Sequence, residues 1–126
     1  MKNNQEILDE FGKIVVNNIL DRYYKGVKKD VNQGIKNQTE EQYNIIFSDL
    51  NDKQKNLLFL YIKENLNSLL FDFLNLFEEN EDFKLIYEED GKQVDLVKIS
   101  EMLKAELIIE NGWIERFSKF TGEKDI

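Results

Sequence analysis

Apolar side chains recur every three or four residues through the first part of the chain. Ile7, Leu8, Phe11, Ile14, Val15, Ile19, Tyr23 and Val27 share one face, which predicts a helix from about Gln5 to Lys28. Asn18 falls in the middle of that face and Arg22 lies at its edge. Val16, Leu20 and Tyr24 form a second apolar line, so the helix is expected to be covered on two sides. Gly12 and Gly26 weaken it by up to about 1 kcal/mol each. A loop with Gly34 and Asn37 follows. Thr39-Glu40-Glu41-Gln42 then fits a capping box that opens a short helix with Tyr43, Ile46, Phe47 and Leu50 on its apolar face. Asp49 or Asn51 is placed to cap the next helix.

That next helix, about Asp52 to Glu79, is the longest periodic segment. Leu58, Phe59, Ile62, Leu66, Leu69, Leu70, Phe73, Leu74, Leu76 and Phe77 cover well over a third of its circumference. Its polar residues collapse into one stripe that includes Asn65, Ser68, Asp72 and Asn75. A helix this apolar is expected to pack on more than one side. Phe59, Ile62, Leu66, Leu69, Phe73 and Phe77 are its expected buried residues.

The period then changes from 3.6 to 2. Phe83, Leu85 and Tyr87 alternate with polar neighbours. Asp90-Gly91 follows, and Val94 and Leu96 alternate beyond it. Both turn positions tolerate positive φ, so the pattern predicts a β-hairpin of about Phe83–Tyr87 with Gln93–Leu96. Leu96, Ile99, Met102, Leu103 and Leu107 resume a helical face. Asn111-Gly112 can end that helix. Trp113, Ile114, Phe117 and Phe120 suit a short terminal helix, with fraying expected from Gly122 to Ile126. The expected fold is α+β and mainly α: one domain over 1–126, a helical bundle around one long apolar central helix, with a single β-hairpin and a C-terminal helical segment. A chain of 126 residues does not supply two independent cores.

Composition narrows the chemistry. The chain has no His and no Cys, the side chains that most often titrate or attack near neutral pH. No P-loop, zinc spacing, Ser–His–Asp set or calcium-loop pattern is present. The expectation is a non-enzyme without cofactor or metal. No stretch has the roughly 18 apolar residues of a membrane span, and no signal-type segment follows the polar start, so a cytoplasmic protein off the membrane is expected. Acidic residues number 25 against 17 basic ones, a net charge of −8. That field repels nucleic acid phosphates and speeds encounter with a basic protein.

Two groups of residues are candidate recognition sites. Glu78, Glu79, Glu81 and Asp82, with Glu88, Glu89 and Asp90 nearby if the hairpin forms, are the densest charge and suit docking of Lys and Arg. Asn18 and Arg22 on the first helix can meet Asn65 and Asp72 on the long helix in a small polar pocket, provided the polar stripe is covered. Trp113 reads as a core anchor.

The stretch from Val94 to Leu103, with Glu106-Leu107 and Glu110 to Phe120 after it, is similar to the C-terminal half of a set of small uncharacterised acidic bacterial proteins. The Asp90-Gly91-Lys92 turn and the helix end Phe73 to Glu79 resemble them too. Small acidic proteins of that kind often serve bacterial conflict systems as immunity proteins or phage inhibitors, an analogy of class only. The leading expectation is therefore an acidic binding protein, of the immunity or inhibitor type, that covers a basic protein. The alternatives are a nucleic-acid-mimicking inhibitor of a nuclease and a small-molecule-binding domain built on the polar pocket.

Overall fold

A computed structural model describes residues 1–37, 39 and 41–121. The elements run α1 (Asn4–Val15), a π turn (Val16–Leu20), α2 (Asp21–Gln33), α3 (Glu41–Ser48), α4 (Asp52–Glu79), β1 (Ile86–Glu89), β2 (Lys92–Asp95), α5 (Leu96–Ile99), α6 (Leu103–Ile108) and α7 (Trp113–Phe117). The fold is mainly helical with one antiparallel hairpin. The tail expected to fray, Gly122 to Ile126, lies outside the described residues, as does Glu40 of the expected capping box.

Helix starts follow local chemistry. Asn3 Oδ1 accepts the Glu6 N–H at 2.8 Å, and Glu6 Oε1 accepts the Asn3 N–H at 3.3 Å. Asn51 and Gln54 open α4 with the same reciprocal pair, at 2.8 and 2.9 Å. Between α1 and α2 the chain stays helical, but Val16–Leu20 form a π turn. Such a turn takes in one extra residue and rotates everything after it by about 100°. The core therefore passes from one apolar line to the other. Ile7, Leu8 and Val15 are buried before the turn, Val16 and Leu20 at its two ends, and Tyr24 beyond it. Ile19 and Tyr23, expected on the buried face, are 48% and 64% exposed.

The main core joins Ile7, Leu8, Val16, Leu20, Leu74, Leu96, Leu103, Leu107 and Trp113. A second cluster, Tyr24, Val31 and Phe59, lies under Phe47, Leu50 and Phe120, and Leu66 packs against both. α4 packs on α6 and α2, while α1 packs on α7 and α5. This arrangement corrects the expectation for α4. Phe59 is buried and Ile62, Leu66 and Phe77 are partly covered, but Leu69 and Phe73 are 69% and 53% exposed. The neighbours cover the arc that carries Leu66, Leu70 and Leu74, and no described element covers the arc beside it. Likewise Tyr43 and Ile46 of α3 are exposed, and only Phe47 and Leu50 of its apolar face pack inward.

The hairpin turns at Asp90 (φ 51°) and Gly91 (φ 79°), both left-handed. Its register pairs Ile86 with Asp95 and Glu89 with Lys92. The first strand starts later than expected, and Phe83 stands outside it, exposed. Beyond the hairpin, the continuous helical face from Leu96 to Leu107 is split, because Ser100 and Met102 are extended. α6 ends at Ile108 with extended Ile109 as its cap, earlier than the expected Asn111-Gly112; Asn111 (φ 58°) turns the connection, and Gly112 caps α7. A Cβ on Gly112 would lie 2.5 Å from the Glu106 carbonyl oxygen, so only glycine fits that crossing. Trp113 is fully buried, edge-on to Phe11 with ring centroids 5.8 Å apart. Its indole lies directly over Gly12, where a Cβ would collide with it. Among the described residues no helix is long and apolar enough to cross a membrane.

Candidate functional site

The acidic residues expected to dock a partner fall into two groups that the fold ties to different elements. Glu78 accepts the Lys104 backbone N–H at 2.9 Å and pairs with the Lys104 ammonium at 3.3 Å, which joins α4 to α6. Glu89 accepts the Lys2 backbone N–H at 3.3 Å and the Tyr87 hydroxyl at 3.1 Å. Those two bonds hold its carboxyl below the usual carboxylate range. Loss of hydration, together with the bond to Glu89, pushes the Tyr87 phenol up. The Lys2 ammonium, 2.5 Å from Glu10, is raised mainly by that pairing. Glu88 accepts from the Gln93 amide at 3.1 Å. Glu79, Glu81, Asp82 and Asp90 are exposed. Among the described residues no three acidic side chains gather so as to hold a metal ion.

The residues expected to form a polar pocket separate into two places. Asn18 and Arg22 stand one turn apart and line the open groove along α2 that also carries Lys25 and Lys29, as well as a second groove beside it. Asn65 and Asp72 are exposed on α4 and do not line either groove. The Asn65 amide donates along its own helix to the Tyr61 carbonyl at 2.8 Å. Asn75, of the same stripe, accepts from the Lys104 ammonium.

What the fold does bring together is a polar clamp that sequence reasoning missed. Asp21 is 7% exposed. Its carboxylate accepts the Ser118 hydroxyl at 2.7 Å and the Lys119 N–H at 2.9 Å. The Lys63 ammonium donates to the Phe120 carbonyl at 2.6 Å and lies 4.7 Å from the Tyr24 ring centre. Lys28 lies 5.5–5.8 Å from the rings of Tyr24, Phe59 and Phe120. A cavity of about 230 Å³ opens beside these groups, lined by Asp21, Lys63, Leu66, Leu107 and Ser118 among others. A buried carboxylate needs such donors. Here they pin the chain beyond α7 against α2 and α4, and the polar groups are spent on structure. Asp21 and Ser118 are 97 positions apart, so no local pattern signals the pair.

The other grouping is apolar. At 100° per residue Leu69, Phe73 and Leu76 fall within about 60° of arc on α4. They are 69%, 53% and 39% exposed. Phe73 contacts Phe77 edge-on, with centroids 5.4 Å apart. The next sector of the helix carries Asn65, Asp72 and Glu79, and the stripe runs on into Glu81 and Asp82 beyond its C-terminal end, whereas Glu78 points to the packed side and holds Lys104. The signal was present in the sequence as an apolar arc too wide for one neighbour to cover. No family model, curated protein or solved structure matches the chain.

Proposed function

We propose that this chain is a non-enzymatic acidic binding protein that covers a basic protein partner, and that the outer face of α4 seats that partner. One observation carries the reading: Leu69 and Phe73 stand in water on a rigid 28-residue helix, next to Asp72 and Glu79. Exposed apolar side chains in a row, rimmed by charge, are the anatomy of an interface. The rim is acidic and the net charge is −8, so the complementary surface is an apolar ridge flanked by Lys and Arg. A second copy of this chain would set acid against acid. The lack of His and Cys fits a role in binding. An immunity or inhibitor role is the biological form this reading takes.

The test is affinity capture with the wild-type chain and with the double variant Leu69→Glu, Phe73→Glu. Both positions are exposed, so the variant keeps the fold. A basic protein retained by the wild type and lost by the variant is the expected result. Capture of the same proteins by both would overturn the assignment of the face.

A further inference from the structure

The cations of α2 are arranged differently from the rest of the charge. Arg22, Lys25 and Lys29 are exposed and recur on one face of the helix, and Lys119 reaches the same groove from beyond α7. The groove measures about 950 Å³, and Asn18 and Gly26 also line it. The two arginines of the chain have separate fates. Arg116 bonds Asp9 at 2.9 Å and lies over Phe117. Among the described residues Arg22, Lys25, Lys29 and Lys119 form no ion pair. Among the described residues that line the two grooves, the acids are Asp21, in this groove and already bonded to Ser118 and Lys119, and Asp30, in the adjoining one. Lys28 lines the groove as well, with its ammonium set over three aromatic rings. Gly26 lines the groove without a side chain, and a Cβ there would stand in open space. Asn18, Arg22 and Gly26 border both grooves.

We infer that this groove is a binding site for a compact ligand bearing two or more phosphate groups. Four cations that form no ion pair among the described residues, within two turns of a helix and one facing loop, make a local positive field in an acidic protein. A guanidinium and ammonium groups match phosphate oxygens in charge and hydrogen bonding. Compactness follows from screening. At physiological salt the patch acts over roughly 8 Å. A short polyphosphate stays inside that range, whereas a long nucleic acid extends over the acidic remainder of the surface and is repelled. This site is independent of the α4 face.

Calorimetric titration of the full chain with inorganic tripolyphosphate at 0.15 M salt tests the inference. The expected result is saturable 1:1 binding. Arg22→Ala and Lys29→Ala each weaken it by about tenfold, since each removes a charge-assisted contact. Gly26→Leu sets a side chain on the groove wall without a clash and reduces binding at least as much, with a melting temperature no lower than wild type. Lys53→Ala, on the exposed start of α4, leaves binding unchanged. No saturable binding by the wild type would overturn the inference, as would equal binding by all the variants. Tighter binding of a single-stranded oligonucleotide than of tripolyphosphate would overturn it in favour of a nucleic acid surface.

Discussion

The sharpest test of the packing is a single methyl group at Gly12. On helix propensity alone, Gly12→Ala stabilises α1 by about 1 kcal/mol. The structure reverses the sign. A Cβ at Gly12 would overlap three atoms of the Trp113 indole, closer than real Cβ atoms come. The ring cannot swing aside easily, because Trp113 is fully buried and braced edge-on by Phe11. Overpacking of that kind costs about 1–3 kcal/mol, and a rigid ring struck over three atoms belongs at the upper end. Set against the propensity gain, the net loss is about 2 kcal/mol. For a chain of this length that lowers the melting temperature by about 6–10 °C. Gly26→Ala is the matched control: the same substitution in the same helical run, with nothing within 4 Å of the new methyl. It should raise stability by up to about 1 kcal/mol. Thermal melts followed by circular dichroism, with Trp113 fluorescence alongside, read both variants. A Gly12→Ala protein that melts at or above the wild type would refute the placement of Trp113 on α1.

The two faces of α4 should separate in the same assay: Leu74→Ala costs about 2–5 kcal/mol, whereas Leu69→Ala changes stability by less than about 0.5 kcal/mol. Equal losses would show that the outer face is covered. The Arg116 guanidinium holds the Asp9 carboxyl below the usual carboxylate range, with the Gln5 amide adding a bond at 2.8 Å. A lowered folded-state pKa stabilises above the unfolded value and is lost as pH falls through the folded one. Asp9→Asn should therefore be less stable than wild type in urea at pH 7, with the gap narrowing progressively as the pH falls below about 4; a gap that does not narrow below that pH would contradict the pairing. Gly91→Val tests the turn in isolation, since its Cβ meets no neighbour and only the φ of 79° opposes it. A loss of about 1–3 kcal/mol is expected in the same melts, and none would mean the turn relaxes freely.

Features set by neighbours in the chain are legible in the residues themselves. Asn51 caps α4, the long helix spans the expected residues, Asp90-Gly91 turns the hairpin, and Trp113 closes the core. Each depends on backbone preference or on a side chain too large and apolar to leave in water. Of the candidate sites, Asn18 and Arg22 are legible as neighbours because they stand one helical turn apart. Their expected partners Asn65 and Asp72 are not, because meeting them depends on which way α4 is turned. Periodicity tells which residues share a face. It does not tell which face a neighbour will cover. α6 and α2 settle that for α4, leaving Leu69 and Phe73 outside.

Residue identity and local geometry suffice to set where helices begin and where the chain reverses. They also exclude enzyme chemistry of the imidazole or thiol kind. Packing between distant segments settles the rest. One extra residue in the π turn rotates α2 by about 100°, so Ile19 and Tyr23 face water and the stripe from Asn18 through Arg22 to Lys29 faces an open groove. Asp21, carried inward by the same rotation, finds Ser118 and Lys119 from the far end of the chain. Gly12, a weak point by propensity, becomes the socket for Trp113. The last two outcomes depend on contacts between segments about a hundred residues apart, and such contacts leave no trace in any local window of sequence.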